Sequence, residues 1–149
     1  MNNDIKKIED SINDIIQKNE DAIKGYKKAA ENADQIGLKN YFLTKSEERR
    51  NFLIGLKASV PALETRDEID GSTTGAVHRA WMDTKAFFSA DNDESMLEEA
   101  IRGDKAAVEE YNEVLGDTGL PIEAAKIIRE QRDWIVKDLN KIKRLEDVR

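Results

Sequence analysis

Chemistry in an amphipathic chain needs polar side chains where apolar spacing would put carbon, and the 149 residues contain four such interruptions. Asn19 falls between Ile15 and Ala22, and Asp104 between Ile101 and Val108. Between Phe42 and Phe52 the same line passes through Lys45, Glu48 and Arg49, and between Ile128 and Ile135 through Gln131 and Arg132. A polar group on a core face must find a partner or a ligand. Two chemistries are open to this set. The Glu48 and Asp104 carboxylates could ligate a pair of iron or manganese ions, with Tyr26 and Tyr111 as redox-active phenols beside them. Alternatively Glu48 and Asp104 pair with Arg49, Arg132 or Lys45, while Asn19 and Gln131 complete the hydrogen bonds and the two tyrosines are core aromatics whose hydroxyls reach the layer. An arginine fixed in the same volume opposes cations at close range, so internal pairing is the expectation and the cofactor expected is none.

Composition removes other chemistries. Without cysteine there is no disulfide frame, thiolate metal site or cysteine nucleophile, and His78 alone cannot supply two imidazoles. No serine, cysteine or aspartate at nucleophile spacing accompanies His78, so it is expected at a helix surface or packed with one hydrogen bond rather than as a general base. The net charge of −7 argues against a nucleic-acid binder, which needs a basic face to displace counterions. No apolar run nears twenty residues and no basic-then-apolar leader occurs, so neither a membrane span nor export is expected. Cytoplasm is the compartment expected.

The elements that carry these residues are helices. Two Pro and eight Gly leave few breakers. Ile8, Ile12, Ile15, Ala22, Tyr26, Ala30 and Ala33 wind one stripe over about 3–33, and Leu38, Tyr41, Phe42, Phe52, Leu53, Leu56 and Val60 a second over about 37–59, ended by Pro61. Residues 61–72 are charged and aperiodic, as a loop should be, and 73–88 form a short helix rich in aromatics, Trp81, Phe87 and Phe88 among them. Asp91, three residues before Glu94, caps a helix over about 92–115. Gly116 and Gly119 stop it, and Pro121 opens a last helix whose stripe of Ala125, Ile128, Ile135, Leu139, Ile142 and Leu145 runs almost to the end. Two hairpins of long helices separated by about 33 residues let the second and third helices run parallel. The fold expected is all-α, one domain over 1–149: a ferritin-like four-helix bundle with a long crossover carrying a short fifth helix. The hairpins also align with each other. Asn19 and Tyr26 fall on Asp104 and Tyr111 at an offset of 85, and Glu48, Phe52 and Leu56 on Gln131, Ile135 and Leu139 at an offset of 83, suggesting halves related by a two-fold.

The segments Asn-Glu-Asp-Ala-Ile-Lys-Gly-Tyr from Asn19, Gly-Ala-Val-His-Arg-Ala-Trp from Gly75, and Glu-Glu-Ala-Ile-Arg-Gly-Asp from Glu98 before Tyr111 resemble a bacterial family of ferritin-like four-helix-bundle proteins of unknown function. The resemblance covers nearly the whole chain. It implies a ferritin-like bundle with no established activity, sometimes discussed beside bacterial stress proteins. The wider superfamily would place metal carboxylates at Asn19 and Asp104, of which one is a carboxylate, and Glu-x-x-His elements in the second and fourth helices. This chain has Glu47-x-x-Arg50 or Glu48-x-x-Asn51, and Gln131-x-x-Trp134. The function expected is a non-catalytic bundle acting through protein contacts, with a homodimer and an unidentified protein as partners. The alternatives are a degenerate di-metal carboxylate protein with oxidase or metal-binding activity, and an adaptor that captures an amphipathic helix. The basic residues Lys137, Lys141, Lys143 and Arg144 suit the negative end of the last helix.

Overall fold

The computed structural model describes residues 2–59, 81 and 92–148. Four α-helices carry the chain: α1 (Asn2–Asn32), α2 (Ile36–Ser59), α3 (Asp93–Leu115) and α4 (Ile122–Lys141), followed by a 3-10 turn at Leu145–Val148. No strand occurs among the described residues, and the fold is all-α. The loop expected over 61–72, the short helix over 73–88 with its Phe87 and Phe88, and His78 lie outside the described residues, Trp81 excepted.

Each helix buries one line of residues at alternating steps of four and three, the spacing that lets neighbouring helices interdigitate at a shallow angle. In α1 the line is Ile8, Ile12, Ile15, Asn19, Ala22, Tyr26 and Ala29, continued by Ala33 just past its end, and in α3 Leu97, Ala100, Asp104, Ala107, Tyr111 and Val114. In α2 it is Leu38, Phe42, Lys45, Arg49 and Leu56, in α4 Ala124, Ile128, Gln131 and Ile135. Two apolar clusters fill the interior. One gathers Ile12, Ile15, Leu56, Val114 and Ile128, the other Tyr26, Ala30, Leu38, Phe42 and Leu97. The polar members of the four lines lie between them.

Helix direction follows from the bonds that cross the bundle. Asn19 meets Tyr111 while Tyr26 meets Asp104, so α1 and α3 are antiparallel. Phe52 meets Gln131 while Lys45 meets Asp138, so α2 and α4 are antiparallel. α1 packs on α2 and α3 on α4 as hairpins, so α2 and α3 run parallel. The start of α3 is pinned beside the α1–α2 turn, where the Asp93 carboxylate accepts the backbone N–H groups of Asp34 and Gln35 at 2.9 and 2.8 Å.

The ends of the helices differ from expectation in three places. Asn92, not Asp91, caps α3, its Oδ1 accepting Ser95 N–H at 2.9 Å. Pro121 is the residue before the first turn of α4 rather than within it, and its carbonyl accepts Ala125 N–H. α4 stops at Lys141 because Ile142 is extended; Ile142 and Leu145 still pack on the core from the tail. Gly119, in the α3–α4 turn, sits so near α1 that a Cβ would lie 3.0 Å from Ile8 Cδ1, so a larger residue there requires the end of the Ile8 side chain to shift.

Candidate functional site

The polar members of the four buried lines converge on Asp104. Its Oδ1 accepts from Arg49 Nη2 at 2.6 Å and from the Tyr26 hydroxyl at 2.8 Å, and its Oδ2 accepts from Lys45 Nζ at 2.7 Å. Lys45 also donates to Asp138 Oδ2 at 2.9 Å, which accepts the Tyr41 hydroxyl at 2.7 Å as well. On the other side Arg49 Nη1 donates to Asn19 Oδ1 at 3.1 Å, and Asn19 Nδ2 donates to the Tyr111 hydroxyl at 3.1 Å. Tyr111 in turn donates to Gln131 Oε1 at 2.7 Å, and Gln131 Nε2 to the Phe52 carbonyl at 3.0 Å. One hydrogen-bonded chain therefore links all four helices. The two cations of this layer, Lys45 and Arg49, stand against the carboxylates of Asp104 and Asp138.

Aromatic rings close the layer. The Arg49 guanidinium carbon lies 5.5 Å from the centroids of both the Phe52 and Trp81 rings, and its Nε is buried without a hydrogen-bond partner. Lys45 Nζ lies 5.7 Å from the Tyr26 ring and 5.9 Å from that of Tyr41. The Trp81 ring lies 5.9 Å from that of Tyr111, tilted by 44°, and its indole N–H donates to Glu110, which is ion-paired with Lys18.

The electrostatics follow from this geometry. Burial alone would raise the Asp104 carboxyl, but Lys45 and Arg49 outweigh it and hold it below the ordinary carboxylate range. Burial would likewise weaken the two cations, and Asp104 instead raises both above their ordinary values. Burial pushes the Tyr111 phenol up to about 12 and raises Tyr26 and Tyr41 as well. The proton positions are thereby fixed: charged Lys45, Arg49 and Asp104, neutral phenols.

Of the residues expected in the layer, Arg132 lies outside it and Glu48 at its edge. Arg132 is one residue past Gln131, about 100° round the helix, and its part-exposed guanidinium bonds Asp133 and Asn112 rather than Asp104. Glu48 is one residue before Arg49 and sits at the rim, in the groove of about 450 Å³ between α2 and α4. Its Oε1 is 4.0 Å from Lys45 Nζ and accepts no hydrogen bond, and burial raises its carboxyl despite Lys45. Of the pairs expected, Asp104 forms those with Arg49 and Lys45 and Glu48 reaches Lys45 only at 4.0 Å, while Glu48 with Arg49 and Arg132 with Asp104 do not form. Tyr41 and Asp138 were not expected in the layer. The signal was present in spacing: Tyr41 precedes Lys45 by four residues and Asp138 follows Gln131 by seven, both the same face of a helix.

Residues 7–117, about three quarters of the chain, match the family model described as a domain of unknown function, DUF2383. The chain belongs to this family. The span of DUF2383 holds Asn19, Tyr26, Lys45, Arg49, Asp104 and Tyr111, while Gln131 and Asp138 of α4 lie beyond it. No curated protein matches the sequence.

The donor set does not fit a pair of metal ions. Asn19 offers an amide already bonded to Arg49, and both Asp104 oxygens are occupied by cationic donors. A dication at Asp104 would sit against two fixed positive charges. Among the described residues no three Asp, Glu, His or Cys side chains converge on one point. No described helix is long and apolar enough to cross a membrane.

Proposed function

We propose that the protein is a non-catalytic, ferritin-like bundle of the cytoplasm that works through its outer surface, by contact with other proteins and with a second copy of itself. The observation that carries this reading is Asp104. The carboxylate best placed for interior chemistry spends both oxygens on Lys45, Arg49 and Tyr26, so it locks the helix register and has neither oxygen left for a ligand. Buried ionic groups are best attested in such a role, where one polar position fixes how helices align. The parallel course of α2 and α3 between two hairpins supports the ferritin-like connectivity. The resemblance to a ferritin-like family is the ground for placing the protein beside stress proteins.

Loading with Fe(II) or Mn(II), followed by metal analysis of the desalted protein, tests the closed interior. The expected result is no stoichiometric metal in the wild type, Glu48→Ala or Asp104→Asn. Uptake of about two metals per chain that Asp104→Asn abolishes would replace this reading by a di-metal carboxylate one.

A further inference from the structure

α2 has a second line of residues, on the side opposite Leu38, Phe42, Lys45, Arg49 and Leu56. Ile36, Asn40, Leu43, Glu47, Arg50, Ile54 and Lys57 follow one another at steps of four and three, the spacing of a helix–helix seam. Every one of them is exposed, and the large apolar ones strongly so: Ile36 is 73%, Leu43 51% and Ile54 64% exposed. A surface helix of a lone bundle has one apolar stripe facing the core; α2 has this outer one as well. Glu47 and Arg50 pair with each other in the middle of it at 3.5 Å, both largely open to water.

The arrangement is self-complementary. Leu43 and Ile54 are equidistant from the point between residues 48 and 49, and so are Glu47 and Arg50, and so are Asn40 and Lys57. We propose that this seam is a homodimer interface in which α2 of one copy packs antiparallel on α2 of a second copy, about a two-fold axis through that point. Leu43 of each chain then faces Ile54 of the other, and Glu47 of each faces Arg50 of the other, giving two apolar contacts and two ion pairs across an isologous contact. A parallel in-register pairing would set Glu47 on Glu47 and Arg50 on Arg50, which like-charge repulsion disfavours. The proposal rests on the reading that the bundle acts through its exterior. Metal uptake would defeat the closed interior and leave the seam standing, whereas failure of the tests below would defeat the seam alone.

The absence of cysteine makes the geometry directly testable. Leu43→Cys and Ile54→Cys chains, mixed and oxidised, are expected to cross-link with each other. Neither is expected to cross-link alone, because in the antiparallel seam like positions lie about 16 Å apart along the axis, beyond the roughly 7 Å between Cα atoms that a disulfide spans. In light scattering over a dilution series the wild type is expected to dimerise. Glu47→Arg and Arg50→Glu are each expected to weaken the dimer tenfold or more, while an equimolar mixture of the two, in which every facing pair is again opposite in charge, recovers it. Unchanged helical circular dichroism of each variant excludes misfolding as the cause. A wild-type particle of one chain at every concentration, charge variants that dimerise as the wild type does, or efficient cross-linking of Leu43→Cys with itself would overturn the proposal.

Discussion

Replacing Asp104 by asparagine keeps the shape of the layer and removes the charge on which two buried cations depend. The consequences for the two differ. Lys45 keeps Asp138 at 2.9 Å, whereas Arg49, only 1% exposed, is left with the neutral Asn19 amide and the Phe52 and Trp81 rings. Removing one partner of a buried ion pair costs about 3 to 5 kcal/mol, because the other charge remains desolvated. At about 2 to 4 °C per kcal/mol for a chain of this size, Asp104→Asn should melt roughly 6 to 20 °C below the wild type. The sign of the pH dependence is fixed too. A carboxyl held low in the folded state contributes stability above its unfolded value of about 3.9, and this contribution disappears as pH falls through the folded value. The gap between wild type and Asp104→Asn should therefore be full at neutral pH and close in acid. Adding Arg49→Met to Asp104→Asn removes the stranded charge and should recover stability, making the two substitutions strongly non-additive. Urea titrations of the wild type, Asp104→Asn, Arg49→Met and the double variant at neutral and acid pH measure all of this. A loss below about 1 kcal/mol for Asp104→Asn, or simple additivity of the pair, would refute the claim that this carboxylate neutralises the layer.

Three further outcomes follow from the same contacts. Glu48 is held above its ordinary value by burial, so its folded-state penalty appears as pH rises from the unfolded value of about 4.3 through the folded one; Glu48→Gln should match the wild type in acid and exceed it at neutral pH in denaturant titrations. All three tyrosines of the chain are raised by burial, so phenolate absorbance in an alkaline titration should lag the ordinary value of about 10 and rise together with loss of helical circular dichroism; phenolate formation in a chain that keeps its helicity would contradict the packing. Asn92→Ala removes the side chain that caps α3 at Ser95 and should lower stability by about 1 kcal/mol in the same urea assay.

Much of this architecture is legible in the residues because helix periodicity is a local property. The stripes locate α1, α2, α3 and the start of α4 within a residue or so, since an apolar line that alternates four and three cannot bury itself in any other conformation. The same logic found Asn19, Asp104 and Gln131 as inward polar positions. It failed where two adjacent polar residues compete for one inward position. Glu48 and Arg49, or Gln131 and Arg132, differ by 100° of rotation, and which one turns inward depends on the tilt of the helix against its neighbours, a property of the assembled bundle. It also failed at Tyr41 and Asp138, whose relation is a bond between α2 and α4 across 97 residues of sequence. The end of α4 was misplaced because Ile142 and Leu145 are buried or half-buried as a helix would bury them, but from an extended segment and a 3-10 turn.

The internal repeat shows how the side chains of the layer balance one another's charge. Exchanging the hairpins carries Asn19 onto Asp104 and Tyr26 onto Tyr111, so the bond from Tyr26 to Asp104 should have a counterpart between Tyr111 and Asn19. Both are present, at 2.8 and 3.1 Å. The two-fold thus holds for the tyrosine bridges and breaks for charge: the position that is a carboxylate on α3 is an amide on α1. The same asymmetry appears on the partner helices, where Arg49 turns inward and its equivalent at the offset of 83, Arg132, turns outward to Asp133. Each break compensates the other. An inward arginine from both halves would leave excess positive charge around one aspartate, and a carboxylate from both halves would draw in a cation; one of each, with Lys45 and Asp138 as a second pair, leaves a neutral interior. A di-metal bundle takes a carboxylate from each of two helices and a Glu-x-x-His element from each of the other two; here one of the two equivalent positions is the Asn19 amide, and Arg49 is buried against both it and Asp104 as part of a hydrogen-bonded lock.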